Sequence, residues 1–417
     1  MVRLTHGTTQ RTERAVITIR EARALVLSQA AAPLPAERVS VVAAPGRVLA
    51  EGVVADTDLP PFDRVMMDGF AVRAAESGPG AVLEIVAEVA AGAVGDTAVG
   101  PGQAHAIMTG APLPPGADAV VPIEWTEPAP GGRPRVTLQR AVTPGQHVAP
   151  RGEDLRAGAV VARAGERVST LSLSLLIAAG AAQVPVVRRP RVSLLTTGDE
   201  LLPPGAPLRR GQIRESNGPA LQSLFAAAGA QVTNHGVARD TREELDRRLA
   251  QAAAEADIVV LTGGASVGKY DFAAESVEAL GGRRHFERIS IKPGKPTMLY
   301  TRGEQLVFCL PGNPVAALMT GRVLVCAAIA ARGGLRPPEW PELSLPLTAP
   351  VRRVRERDLL IPARRTPEGL CFDGWHGSGD LACMAAADGF AFVERGEGSA
   401  PPGTSAPWFP FPGDPAW

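Results

Sequence analysis

Lysine is almost missing from this chain. Among 43 cationic residues in 417, only Lys269, Lys292 and Lys295 are lysines. Arginine is a planar, permanently charged fork, whereas lysine is a compact, strongly hydrated point charge. Keeping lysine at three neighbouring places marks a region that needs point charges. Aromatic residues are few at 4%, so the core must rest on Val, Leu, Ala and Ile. The four cysteines, Cys309, Cys326, Cys371 and Cys383, form no CxxC and no metal spacing. That excludes a zinc ribbon or a disulfide scaffold and reads as reduced thiols of a cytosolic protein. Formal net charge is zero, so no global field points to nucleic acid or an anionic membrane. The same neutrality favours association with another subunit. No run of about 18 or more apolar residues predicts a membrane span. The polar start MVRLTHGTTQRTER lacks an apolar segment, so no secretion signal is expected and the location is predicted to be cytoplasmic.

What is present is globular: 45% hydrophobic and 21% charged, with 45 glycines and 39 prolines marking many turns. The length suggests roughly two to four domains. The central stretch is 257–271, DIVVLTGGASVGKYD. Ile258–Leu261 is a continuous, mostly β-branched run, suited to a parallel strand buried on both faces. It breaks at Gly263 and Gly264 and passes Ser266, Gly268 and Lys269 to Asp271. Glycines let backbone N–H groups cradle anionic oxygens, and an aspartate holds a metal or repels a second anion. The spacing is neither GxGxxG nor a P-loop.

Strand and helix patterns alternate from residue 191 to about 331. Strands are predicted at 192–195, 231–237, 258–261, 286–291 and 306–310, and helices at 217–228, 241–256, 272–280 and 314–331. Thr241 with Glu244, and Thr18 with Glu21 ahead of a helix at 18–30, read as capping boxes. A helix at 169–179 is expected to turn Leu171, Leu175 and Leu176 inward, with Gly180 at its end. The fold class is therefore multi-domain α/β plus β. A central three-layer α/β domain with a mainly parallel sheet occupies 188–335. An α+β region covers 15–75 and 151–187, a small β domain is inserted at 76–150, and a β domain, barrel-like, fills 338–417.

In parallel α/β sheets ligands bind beyond the carboxyl ends of the strands. The informative loops fall there. Glu200 in TTGDEL is a metal ligand or hydroxyl acceptor, or else a solvated loop charge. Asp240 is a site group or simply a helix cap. Gly263–Asp271 follows the third strand, and Pro311, Asn313 and Pro314 follow a later one. KPGKP presents Lys292 and Lys295 on a stiff turn, for which an anion is the natural partner. Asp68 in PPFDRVMMDGFAVR, Thr109 in IMTGAPLPPGADAV and Asp154 in RGEDLRAGAV lie in other regions, each with a plain turn as the alternative. Ser378 in HGSGD could reach a phosphate or substrate.

Eight ordered motifs carry a family resemblance: PPFDRVMMDGFAVR, IMTGAPLPPGADAVV, RGEDLRAGAVV, TTGDELLPPG, GQIRESN, TGGASVGKYDF, IKPGKP and LPGNPVAAL. The chain resembles the molybdopterin molybdenumtransferases, molybdenum insertases of the MoeA type that include the E domain of gephyrin. The resemblance spans nearly everything after about residue 15. It implies a cytosolic homodimer. It also implies a reaction in which adenylylated molybdopterin and molybdate give molybdenum on the dithiolene and free AMP, assisted by a divalent cation such as Mg2+. The residues would then divide as follows: Asp271, Glu200 and Asp240 serve the metal ion and pterin, Lys292 and Lys295 hold phosphate or molybdate, and Ser266, Gly263, Gly264 and Gly268 cradle the pterin phosphate. Asp68, Thr109 and Asp154 complete the cleft, and Pro311, Asn313, Pro314 and Ser378 bind substrate. Implied partners are molybdopterin adenylyltransferase and molybdoenzyme maturation factors, with no nucleic acid and no membrane. The departures are Arg64-Val65-Met66 before Asp68, Glu215 where relatives often have Asp, and Lys269-Tyr270 before Asp271. The rivals are the adenylyltransferase itself, against which the extra β regions argue, and a non-catalytic gephyrin-like scaffold or molybdopterin carrier.

Overall fold

The computed structural model describes residues 16–263, 272–372 and 374–411. The chain divides into two compact units, Arg38–Val186 and a larger one made of Met1–Glu37 with Val187–Trp417.

The larger unit is built on a six-stranded sheet. Its order is Gln231–Ala238, Arg191–Thr197, Ile258–Thr262, Gln305–Leu310, Met298–Arg302, Arg283–Phe286. The first four strands run parallel and the last two antiparallel. Every residue of Ile258–Thr262 is fully buried, as a strand covered on both faces must be. Leu221, Leu224 and Phe225 of helix Asn217–Ala227 pack on one face, together with Ile19–Gln29 and the helix beginning at Pro314. Leu245 and Leu249 of Arg242–Ala253, with Ala273 and Val277 of Phe272–Ala279, cover the other. Each such Leu or Val, buried from water, contributes about 1.5–3 kcal/mol.

Local rules succeed and fail for visible reasons. At Thr18 the capping box forms: Glu21 N donates to Thr18 Oγ1 at 3.2 Å and Thr18 N to Glu21 Oε2 at 2.7 Å. At Thr241 it does not, although Thr241 is the N-cap. Glu244 instead accepts from Arg247 Nη2 at 2.7 Å and Arg248 Nε at 2.9 Å. Two guanidinium donors outcompete one neutral amide for a carboxylate. The strand expected at 286–291 is split. Arg283–Phe286 ends the first sheet, and Ile291–Lys292 pairs in parallel with Asp358–Thr366 of a second. Met298–Arg302, absent from the sequence reading, forms a hairpin with Gln305–Leu310 across Gly303, whose φ is 58°.

Pro314–Arg332 is a 19-residue helix with mean hydropathy 1.8. It is long and apolar enough to cross a membrane, yet most of it is buried within the protein. Residues Gly321–Val325 form a π turn inside it. A Cβ on Gly321 would stand 2.9 Å from Leu221 Cδ2, so glycine permits the close helix approach there. A π turn disturbs the i→i+4 ladder. Arg23, 5% exposed, supplies a donor: Nη1 donates to Val323 O, Nε to Glu339 O at 2.9 Å and Nη2 to Pro338 O at 3.0 Å. Burial, and next the charge of Arg322, push the Arg23 pKa down to about 10.

The second sheet runs Ile291–Lys292, Asp358–Thr366, Gly389–Val393, Ser405–Pro410, Ser344–Pro346, with Gly369–Cys371 on Asp358–Thr366. Alternation decides its faces. Phe390 and Phe392 join the core of the large helix, while Ala391 and Val393 join a core with Trp408 and Leu370.

The smaller unit holds a sheet ordered Ala119–Pro122, Gly69–Val72, Gln103–Ile107, Val82–Val89, Arg135–Leu138, Thr126–Pro128. Gly69 is required there, since a Cβ would lie 2.0 Å from Val121 O. Helix Thr170–Ala178 buries Leu176 alone; Leu171 is 85% and Leu175 41% exposed, against the inward placement expected of both. TLSLSLLIA is apolar on all sides, so periodicity cannot select a face.

Arg23→Ala would leave three carbonyls without their donor. We expect a loss of about 3 kcal/mol, read as a lower denaturation midpoint; an unchanged midpoint would contradict the clamp.

Candidate functional site

Three parallel strands of the larger unit end on glycines packed backbone to backbone. Gly263 has φ 91°, and a Cβ there would sit 2.3 Å from Thr197 O. A Cβ on Gly312 would lie 3.4 Å from Gly263 Cα. At Gly263 only glycine allows this approach, whereas a Cβ on Gly312 would make an ordinary contact. Polar side chains lock the same ends. Thr262 Oγ1 donates to Pro311 O at 3.0 Å, and Asn217 Nδ2 donates to Gly312 O at 2.7 Å and Thr262 Oγ1 at 3.2 Å. Because a carbonyl only accepts, this fixes the Asn217 amide with Oδ1 unpartnered among the described residues. Thr196 Oγ1 and Thr197 Oγ1 are likewise buried without partners among them. Such groups each cost about 1–3 kcal/mol, and a native structure keeps them for a reason. Glu215 is buried, and its Oε1 accepts from Gly218 N at 2.7 Å, starting helix Asn217–Ala227. Sequence reasoning missed Thr196, Thr197, Asn217 and Thr262 as site residues. The signal was paired threonines closing an apolar strand, and Asn opening the next helix.

Glu200 follows the first of these strands, and Asp240 follows Gln231–Ala238. Asp240 N donates to Asp199 Oδ1 at 3.2 Å. The Asp240 carboxyl is pushed above the usual range, chiefly by burial, then by the charges of Asp199 and Glu200. Carboxylate oxygens crowded this way suit a hard cation such as Mg2+, which would relieve their repulsion. Among the described residues no group of three His, Cys, Asp or Glu is placed to hold a metal. Asp271, expected to complete the set with Glu200 and Asp240, lies outside the described residues, as do Gly264, Ser266, Gly268 and Lys269.

Lys292 closes the short strand on Asp358–Thr366. The turn beyond it is internally tied. Thr297 Oγ1 donates to Gly294 O at 2.7 Å, and Ile289 N and Thr297 N both donate to Lys295 O at 3.0 Å. Lys292 and Lys295 are exposed, and neither has an ion pair among the described residues. Asn313 caps the long helix and Pro314 occupies its first turn, where a missing N–H costs nothing. Asn313 Nδ2 donates to Ser378 Oγ at 3.0 Å, and Val315 N donates to Ser378 O at 3.2 Å. Two sequence-distant expectations, Asn313 and Ser378, are thus one contact.

The smaller unit carries Asp68, Thr109 and Asp154. Thr109 N and Oγ1 both donate to Asp68 Oδ1, at 2.7 and 2.6 Å. The hydroxyl bond, then the backbone bond, hold the Asp68 carboxyl below its ordinary range. Asp154 N donates to Leu59 O at 2.9 Å and its carboxylate is exposed. Nearby, Arg151 N donates to Asp63 Oδ1 at 2.8 Å, and Arg151 Nε to Asp58 Oδ2 at 2.6 Å. Met66 and Met67 face solvent.

Asp240 gives a pH prediction. Its folded pKa is raised, so the folded state holds the proton more tightly than the unfolded chain. Stability is then lost as pH rises through the unfolded and then the folded value. Asp240→Asn should melt higher than the parent at neutral pH, with the gap closing below about pH 4. A lower melting temperature at neutral pH would contradict this.

Comparison with known proteins agrees with the geometry. Residues 17–180 match the model for the MoeA N-terminal region (domain I and II), and 193–331 match a probable molybdopterin binding domain. Molybdopterin molybdenumtransferase 2 of Mycobacterium tuberculosis is 36% identical over 76% of this chain and 80% of its own. Molybdopterin molybdenumtransferase of Haemophilus influenzae is 34% identical over 78% and 79%. The crystal structure of a molybdopterin biosynthesis MoeA protein from Pyrococcus horikosii superposes with a TM-score of 0.79 at 32% identity, over 95% of this chain and 99% of that one. The chain belongs to the molybdopterin molybdenumtransferase family.

Proposed function

We propose that this chain inserts molybdenum from molybdate into adenylylated molybdopterin and releases AMP. The observation that carries the reading is the set of groups at the strand ends of the larger unit. The Gly263 backbone, the Thr196 and Thr197 hydroxyls and the two exposed lysines, without hydrogen-bond or ion-pair partners among the described residues, and the Asn313–Ser378 contact all lie at or just beyond the ends of strands in its sheets. That chemistry suits a polyanion with a polar ring system.

In this reading Gly263 and Gly312 let the substrate approach the backbone. Lys292 and Lys295 meet the negative oxygens of phosphate or molybdate as mobile point charges. An oxygen nucleophile attacks the adenylyl phosphorus, the phosphoanhydride P–O bond breaks and the pterin phosphate is the leaving group. Water as nucleophile gives AMP directly; molybdate gives an adenylyl–molybdate anhydride that water then hydrolyses to AMP and molybdate, so catalysis rests on positioning and charge neutralisation. Glu200 and Asp240, with Asp271, would hold Mg2+, which when bound supplies charge neutralisation at the phosphates. Asp68, kept ionised by Thr109, and Asp154 serve the same reaction. A cytoplasmic homodimer that receives substrate from the adenylyltransferase and delivers to molybdoenzyme maturation factors fits the neutral charge and the chemistry.

Purified protein given adenylylated molybdopterin, magnesium and molybdate should release AMP in a molybdate-dependent manner. Asp68→Ala and Asp271→Ala should each slow release at least about tenfold. Tight substrate binding with no AMP would replace the transferase reading with a carrier or scaffold. Lys292→Ala should raise the KM for molybdate more than it lowers kcat; an unchanged KM would remove that lysine from the anion site.

A further inference from the structure

Asn217 opens a helix without capping it. It is the first residue of Asn217–Ala227, and the side chain of Ser216 before it makes no capping bond. Glu215 Oε1 accepts from Gly218 N at 2.7 Å, so the helix start has its acceptor without Asn217. An asparagine at a helix start ordinarily offers its side-chain oxygen to the first N–H groups. Here Oδ1 takes no bond among the described residues, and the amide nitrogen is spent elsewhere. Nδ2 donates to Gly312 O at 2.7 Å and to Thr262 Oγ1 at 3.2 Å, partners 95 and 45 residues away. Thr262 Oγ1 passes the contact on by donating to Pro311 O at 3.0 Å. Asn217 is 7% exposed and Thr262 0%, so water barely competes for this chain of bonds.

Two successive carbonyls of one loop, those of Pro311 and Gly312, are thereby pinned from two other segments. The sheet does not hold them: the pairing of Gln305–Leu310 with Ile258–Thr262 ends at Leu310. Among the described residues no other group donates to either carbonyl. The peptides that follow them are trans, which sets each N–H opposite its C=O. The N–H groups of Gly312 and Asn313 are therefore turned away from Asn217 and Thr262. Neither donates to a described residue, and both residues are exposed. The same loop carries the contact already assigned to substrate. Asn313 Nδ2 donates to Ser378 Oγ at 3.0 Å, and Val315 N donates to Ser378 O at 3.2 Å.

We propose that Asn217 is a positioning residue for the substrate loop: through Gly312 O directly, and through Pro311 O by way of Thr262, it sets the peptide planes that place Asn313 against Ser378. The inference rests on the transferase reading for what this loop meets, adenylylated molybdopterin. Asn217 acts through the loop, and no covalent bond is made or broken by it. Its contribution is a loop already in one orientation before substrate arrives, so less ordering remains to be done on binding. A loop that holds substrate equally in ground and transition states governs KM rather than kcat.

Full-length variants separate positioning from packing. Asn217→Asp keeps the side-chain shape and suits a helix start, but its carboxylate cannot donate to Gly312 O. Thr262→Val keeps the shape and loses the hydroxyl, and Thr262→Ser restores the hydroxyl. Asn217→Asp and Thr262→Val should each raise the KM for adenylylated molybdopterin roughly tenfold, with kcat within about threefold of the parent. Thr262→Ser should recover most of what Thr262→Val loses. Without substrate, hydrogen exchange of the Val315 amide should quicken in the first two variants and return towards the parent rate in Thr262→Ser. A lower melting temperature with KM and Val315 exchange unchanged would make these bonds plain packing and overturn the proposal. Thr262→Ser behaving like Thr262→Val would do the same. If the parent binds adenylylated molybdopterin and releases no AMP, the transferase reading falls and Kd takes the place of KM. The same tenfold pattern in Kd then keeps the role of Asn217, and equal affinities remove it.

Discussion

A guanidinium without a carboxylate holds the helix on which the site rests. Arg23 spends its donors on the carbonyls of Val323, Pro338 and Glu339. Arg332 does the same at the other end of the helix, donating to Ala32 O at 3.0 Å and to Glu304 O. Carbonyls are dipoles, and several aimed at one cation offset its desolvation without an opposing charge. The first helix, Ile19–Gln29, and the long helix, Pro314–Arg332, are thereby stitched at two places. The long helix then presents Asn313 at a fixed end of the sheet. A π turn, normally a weak point, is tolerated because Arg23 donates to the Val323 carbonyl within it.

The two acids that matter most are tuned in opposite directions by their surroundings. Asp68 receives two hydrogen bonds from Thr109 and is easier to ionise. Asp240 sits with Asp199 and Glu200 and is harder to ionise. Environments that push carboxyl groups apart are how one protein assigns them different work. Asp68 carries a charge its hydrogen bonds favour, Asp240 one whose repulsion by Asp199 and Glu200 a bound cation would relieve.

Much of this was legible in the amino acids, and the rest fails for identifiable reasons. The fully apolar Ile258–Leu261 could only be a strand buried on both faces, and the glycines after it mark a strand end that something approaches closely. Leu171 and Leu175 misled because a helix apolar on every side carries no directional information. Glu244 misled because a local capping rule ignores two arginines one turn away. The contact between Asn313 and Ser378 joins segments of two sheets and has no trace in spacing. Thr197 and Asn217 were hidden for a similar reason: that Thr197 Oγ1 and Asn217 Oδ1 lack a partner among the described residues is visible only in a structure.

The scarcity of lysine has a chemical corollary. Primary amines are the targets of acylating reagents, aldehydes and acetyl transfer. In most proteins such reagents scatter over the whole surface. Here Lys292 and Lys295 stand exposed without an ion pair among the described residues, in a chain otherwise defended by guanidinium groups. Side-chain amine chemistry is thereby confined to Lys269, Lys292 and Lys295, so an electrophile that marks most proteins all over would mark this one only there.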